Sequence, residues 1–285
     1  MVSGMTYREL RRIGVETLQK AGVDAPAFEI SVLFEDLADI PKEQFPLLGG
    51  EPVPPEIAEK LLLAVKRRAE GYPLQYLVGS WWFYGRKFAV GEGVLIPREE
   101  TELLCEMALR LLEHEPEPKV ADLCSGTGCV GITIAKERPD AGVFAYELSE
   151  DALFYLRKNI FLNGAPNVRA FQADVLLPPE ADVPVFDLIA CNPPYIRSGE
   201  IPSLQPELSA EPYLALSGGE DGLDFYRAIV RNWPEKLRSG GYLIFEMGEE
   251  EGPVVIKLLK DAGFTEISVY EDLTGFQREI SAKKP

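Results

Sequence analysis

Val120-Ala121-Asp122-Leu123-Cys124-Ser125-Gly126-Thr127-Gly128 carries an apolar run straight into two glycines, and a helix-forming stretch from Cys129 to Glu137 follows. This predicts a strand over 120–124, a tight turn and a helix. Gly126 and Gly128 would let the backbone approach a ligand at the turn, as in a nucleotide-cofactor loop. Taken alone, the segment reads equally well as a plain strand-to-helix turn. Cys124 replaces the first glycine of the usual dinucleotide fingerprint, and no Gly-Lys-Ser is present to cradle phosphates.

The chain on the C-terminal side repeats the alternation. Strands are predicted at 142–147, 168–173, 185–191 and 241–247, with a helix over 151–163. Two last strands, 265–271 and 277–282, lie close enough in sequence to pair antiparallel. Such alternation predicts an α/β, Rossmann-like sheet, mostly parallel and covered by helices on both faces. The strand ends then carry chemistry in order. Glu147 ends the second strand, 19 positions after Gly128, where a carboxylate can accept both hydroxyls of a ribose. Asp174, in Gln172-Ala173-Asp174-Val175, ends the third and can accept an adenine amine. The fourth runs into Asn192-Pro193-Pro194-Tyr195. Two prolines fix their φ angles, remove two backbone donors and leave bare carbonyls on a stiff loop. The Asn192 side-chain oxygen and the Pro193 carbonyl can each accept one hydrogen of a planar NH₂ group, with Tyr195 lying against its π-system.

On the N-terminal side, Thr6 and Glu9 form a capping box before Leu10, Ile13 and Leu18. Asp24 is placed to cap a second helix that ends by Pro41. A Pro/Gly loop spans 46–55, and a third helix runs over 56–70. Trp81 to Val90 reads as an aromatic hairpin turning near Gly85-Arg86, and a helix over 99–112 follows. Trp81 and Trp82 read as hairpin packing; Phe88 and Val90 are weaker candidates for the mouth of a cofactor cleft. Arg98 can either pair with a carboxylate or cap a helix, and Glu249-Glu250-Glu251 reads as a solvated helix start.

Composition narrows the chemistry. At 285 residues, the length suits roughly two domains. With 29 basic and 46 acidic side chains the net charge is −17, which repels phosphate and argues against direct binding of nucleic acid. His114 is the one histidine, set in a Pro/Glu linker, so imidazole-based hydrolysis and zinc chemistry are disfavoured. Cys105, Cys124, Cys129 and Cys191 contain no CxxC pair and read as reduced thiols of a cytoplasmic protein. No apolar run is long enough for a membrane span and no secretion signal is visible, so no membrane partner and no metal are expected.

The set Asp122–Gly128, Glu147, Asp174 and Asn192-Pro193-Pro194-Tyr195 resembles the class I S-adenosylmethionine-dependent methyltransferases that act on planar amino or amide nitrogens. Further stretches resemble the release-factor glutamine methyltransferase family (PrmC/HemK). These are Pro73–Gly79, Phe83-Tyr84-Gly85, Leu95–Glu102, Glu211–Leu216 and Gly218–Leu223. Cys124, often Gly in that family, and Glu99, usually Pro, depart from its pattern. The resemblance implies methyl transfer from S-adenosylmethionine to the amide nitrogen of the glutamine in the Gly-Gly-Gln motif of class-1 peptide chain release factors. It implies that Cys124, Ser125, Gly126, Thr127, Gly128, Glu147, Asp174, Val175 and Asn192 bind the cofactor. Asn192, Pro193, Pro194 and Tyr195 would bind substrate, the first two acting in catalysis. It further implies a helical docking domain over 1–78, a hairpin linker over 79–97 and the methyltransferase domain over 98–285. Two neighbouring activities share the motif logic: glutamine methylation of a large-subunit ribosomal protein, and adenine-amine methylation of DNA or RNA. The latter needs a basic track that this chain lacks.

Overall fold

Thr6 starts the first helix by a reciprocal cap: the Glu9 backbone N–H donates to Thr6 Oγ1 at 3.3 Å and the Thr6 N–H to Glu9 Oε2 at 2.8 Å. The computed structural model describes residues 4–285. The chain divides into two units, the first running to Ser80 and including Gln205–Ala210, the second comprising Trp81–Leu204 and Glu211–Pro285. In the first unit α1 (Tyr7–Lys20), α2 (Pro26–Ala38), α3 (Phe45–Leu48), α4 (Pro55–Ala69) and α5 (Leu74–Val78) follow in order. Leu10, Leu18, Ile30, Leu33, Phe34, Leu61 and Val65 are buried among them. Asp24 does not cap α2. Pro26 holds its first position instead, and Asp39 ends it in the left-handed region at φ 57°. Two helical turns were not foreseen. α3 lies within the expected Pro/Gly loop, and α5 is so short, between Pro73 and Gly79, that no periodicity could register. Arg68 is buried in this unit. Its guanidinium meets Glu29 at 2.6 and 3.1 Å and Glu207 at 2.9 Å.

The second unit opens on a hairpin, β1 (Ser80–Phe83) and β2 (Arg86–Ala89). Its turn is Tyr84-Gly85, at φ 49° and 69°, one residue earlier than the sequence suggested. Residues 98–103 are wound by i→i+3 bonds, so α6 begins only at Glu102 and runs to Leu111. There follow β3 (Lys119–Leu123), α7 (Cys129–Glu137), β4 (Gly142–Glu147), α8 (Glu150–Leu162), β5 (Val168–Gln172) and β6 (Phe186–Cys191). After α9 (Pro206–Ser209), which groups with the first unit, come α10 (Tyr213–Leu216), α11 (Asp224–Asn232) and β7 (Leu237–Glu246). The chain closes with α12 (Gly252–Asp261), β8 (Thr265–Glu271) and β9 (Gln277–Lys283).

The sheet order is β5-β4-β3-β6-β7-β9-β8. Neighbours are parallel as far as β7, and β9 runs antiparallel to both β7 and β8, as the pattern of the chain anticipates. β7 starts four residues before the predicted 241, because Gly240-Gly241 is a kink inside the strand and not its beginning. A Cβ at Gly241 would meet the Asp187 carbonyl oxygen at 2.8 Å, and the register with β6 shifts there. Each face of the sheet has its own core. Val120, Leu188 and Ile244 pack with α6 and α7 on one side; Ala121, Ile189 and Phe245 pack with Trp233 and Val255 on the other. Among the described residues no helix is long and apolar enough to cross a membrane.

Candidate active site

From β3 the chain steps outward to β4 and β5, then crosses to β6 on the other flank of β3. At such a reversal the loops leaving the strands diverge and open a crevice at the carboxyl ends. A cleft open at its mouth lies there, bounding about 930 Å³ of space that includes open solvent. Cys124, Ser125, Gly126, Thr127, Glu147, Asp174, Val175, Asn192 and Pro194 line it. The strand-end residues singled out from the sequence are therefore brought together. Gly128, Pro193 and Tyr195 are not in its walls.

The glycine turn divides its labour. Gly126, at φ 53°, has open space where a Cβ would stand, which suits close approach by a ligand. Gly128 serves packing: at φ 80° it caps α7, and a Cβ would meet Leu156 at 2.4 Å. Cys124 sits at φ 58°, a left-handed conformation uncommon for a side chain of its size, which explains why glycine suits that position. Asp122, 1% exposed, accepts the Gly131 N–H at 3.0 Å, and burial pushes its carboxyl up to about 7. Glu147 accepts the Gly126 N–H and the Ser149 N–H, each at 2.8 Å, and burial raises its pKa. Its two oxygens are thus aimed, with lone pairs remaining for a diol. Asp174 Oδ1 accepts the Leu176 N–H at 2.9 Å, and the buried Val175 accepts Trp233 Nε1 at 3.1 Å.

Asn192 Nδ2 donates to Thr101 Oγ1 at 3.0 Å. The loop beyond is held from behind. Ile196 bonds both ways with the chain at Leu216 and Gly218, and Cβ atoms at Gly218 or Gly222 would strike the backbone of Pro194 and Tyr195 within 2.8 Å. This gives Gly218–Leu223 a mechanical purpose. Tyr195 is half-buried and packs beside the core under the loop. Its hydroxyl stands 3.5 Å from Glu246 Oε1, and burial raises its pKa.

Other expectations resolve individually. Arg98 pairs with the buried Glu211, which also accepts the Ile96 N–H at 2.9 Å, so it is a structural clasp at the cleft rim and not a helix cap. Phe88 and Val90 belong to the core and leave the cleft wall. Trp82 does not pack in the hairpin; it is 62% exposed. Glu249 and Glu250 are exposed, but Glu251 turns partly inward, and burial raises its pKa. Two residues escaped sequence reading. Asn159 of α8, fully buried, grips Ala89 at both its N–H and carbonyl and donates to the Thr127 carbonyl at 3.0 Å. Thr101 is the other. His114 is exposed, and all four cysteines are free thiols.

The seven-stranded sheet and the cleft at its reversal suit a nucleotide-cofactor enzyme, and the family matches make it an S-adenosylmethionine-dependent methyltransferase. The PrmC N-terminal domain family matches residues 9–79 and the methyltransferase small domain family residues 100–210. A release factor glutamine methyltransferase of Cereibacter sphaeroides is 39% identical over 283 residues, covering 99% of both chains. One from Fusobacterium nucleatum is 36% identical, covering 95% of this chain and 77% of its own. The T. thermophilus 16S rRNA N2 G1207 methyltransferase in complex with AdoMet and guanosine shares the fold. It matches at TM-score 0.51 and 20% identity over 72% of this chain and 50% of that one. The present chain belongs to the release factor glutamine methyltransferase family.

Proposed function

We propose that this protein transfers a methyl group from S-adenosylmethionine to the side-chain nitrogen of the glutamine in the Gly-Gly-Gln motif of class-1 peptide chain release factors. The observation that carries the reading is Asn192. Its amide is tethered through Nδ2 to Thr101 at the edge of the cleft, beside a proline-stiffened loop. Cys124–Gly128 would form the cofactor turn, Glu147 would take the ribose hydroxyls, and Asp174 with Val175 would flank the adenine. S-adenosylmethionine supplies an electrophilic methyl on a positively charged sulfur.

The substrate nitrogen is a poor nucleophile, because its lone pair is delocalised into the carbonyl. Asn192 Oδ1 and the Pro193 carbonyl would hold its two hydrogens, orienting the lone pair along the line of displacement and favouring the positive charge that develops on nitrogen. On taking the methyl that S-adenosylmethionine would supply, the nitrogen would shed one proton to water. The N–H becomes acidic only as the new bond forms, so no imidazole base is required. We assign residues 1–78 to docking of the release factor, 79–97 to a hairpin linker and 98–285 to catalysis, in the cytoplasm where translation occurs. The charge of −17 separates this reading from adenine-amine methylation, which needs a phosphate track. Mass spectrometry of a release factor incubated with the protein and S-adenosylmethionine should show one added methyl at the Gly-Gly-Gln glutamine. Methyl on a nucleic acid or ribosomal protein instead would overturn the assignment.

A further inference from the structure

Behind Asn192 lies a buried acidic pair that the reaction as described does not use. Glu246 ends β7 at 2% exposure, and its register partner on β9 is Glu279, fully buried. Glu246 Oε2 and both carboxyl oxygens of Glu279 are buried without a hydrogen-bond partner among the described residues. Such orphaned acceptors are costly, and two carboxyls in one dry site cannot both ionise. The pair therefore holds at least one proton near neutrality. Thr101 stands between this pair and the cleft, 2% exposed, accepting from Asn192 Nδ2. A hydroxyl that accepts there must place its own hydrogen elsewhere, and Glu246 is the neighbouring acceptor, its charged form favoured by both Thr101 and Asn192.

We propose that Thr101 and Glu246 are positioning residues that decide which way round the Asn192 amide stands. With Glu246 ionised, hydrogen bonds run from Asn192 to Thr101 to Glu246, and Asn192 Oδ1 faces the cleft as an acceptor. With Glu246 protonated, its O–H donates to Thr101, the Thr101 hydroxyl donates to Asn192 Oδ1, and the amide turns its NH₂ outward. That orientation sets donor against donor and repels the NH₂ group of a substrate amide. The inference rests on the proposed role of Asn192 and deepens it.

Burial pushes Glu246 up to about 7, so the relay would reverse within the working range. The groups facing it are Glu279 and Arg278 from β9, Glu100 from the turn before α6, Tyr195 beyond β6, Tyr226 from α11, Cys129 from α7 and Cys191 from β6. Arg278 favours the ionised form, whereas Glu100 and Glu279 oppose it.

Two measurements on the full-length protein test this. In kinetics with a release factor, wild-type kcat should rise about tenfold per pH unit below an inflection near 7. Glu246→Gln should abolish that acid limb, Thr101→Val should lower kcat at least tenfold with unchanged S-adenosylmethionine affinity, and Thr101→Ser should restore it. In ¹⁵N NMR without substrate, the Asn192 side-chain amide should shift through the same inflection in the wild type and not in Glu246→Gln. An Asn192 signal indifferent to pH, or a Glu246→Gln enzyme keeping the acid limb, would overturn the inference. A wild type that titrates at Asn192 yet leaves the release factor unmodified would sink the functional reading and leave the relay standing.

Discussion

Asn192 and Gly126 face each other in role: one orients the acceptor nitrogen, the other clears space for the donor. Asn192→Ala should keep S-adenosylmethionine binding, measured by calorimetry, while turnover falls about 100-fold or more, the usual loss on removing one preorganised polar group. Near-normal turnover would refute its assignment. Gly126→Ala places a methyl in the open space of the turn and a side chain at φ 53°. It should cost about 1–2 kcal/mol of stability from the left-handed conformation, and cofactor affinity should fall by more than that strain explains. At this scale the sequence spoke clearly about position: Glu147, Asp174 and Asn192, singled out at strand ends, share the walls of one cleft. It was silent on Asn159, whose partners are backbone atoms 32 and 70 positions away. No local pattern encodes such a contact. Thr101 was hidden likewise, lying inside the helix expected over 99–112 with nothing local to mark its contact with Asn192.

The loop 216–223 shows how an element acts on a site without entering it. Gly222, at φ 80°, lies where a Cβ would come within 2.4 Å of the Tyr195 carbonyl oxygen. Gly222→Ala should push the Pro194–Tyr195 backbone out of place and reduce kcat at least tenfold, with cofactor binding intact; unchanged kcat would show that the loop tolerates displacement. Asn159→Ala should remove three hydrogen bonds joining α8, β2 and the cofactor turn. A loss of about 1–3 kcal/mol per buried group left unpaired is expected in urea unfolding. The strands were legible because alternation and glycine punctuation are local properties. Their limits were less so: β7 runs on through Gly240-Gly241 because its neighbour β6 leaves room only for a bare backbone. Arg68 was hidden because the glutamates that pair with it, Glu29 and Glu207, stand far away in sequence.

For the whole molecule, the buried acids set a pH dependence. Asp122 and Glu246 ordinarily ionise near 3.8 and 4.5, and burial pushes both up to about 7. An unfolded chain gives up these protons at the lower values while the folded one keeps them. Their stabilising contribution is therefore complete below about pH 4 and is lost as the pH rises towards 7. Asp140 and Asp272, lowered to about 2, act in the opposite sense below pH 4. Urea midpoints should fall between pH 5 and pH 7.5, and Asp122→Asn should flatten part of that slope; an unaltered slope would mean that Asp122 is already ionised at pH 5. The sheet order has a consequence of another kind. Apart from Asn192, the residues proposed to grip the methyl donor come from one continuous segment, residues 119–175, on β3, β4 and β5, whereas Asn192, Glu246 and Glu279 on the acceptor side hang from β6, β7 and β9 on the other flank. The line between β3 and β6 thus divides the sheet into a donor side and an acceptor side. A substitution in the loops after β6 or β7 should therefore change the choice of acceptor and leave the affinity for S-adenosylmethionine, read by calorimetry, as it was.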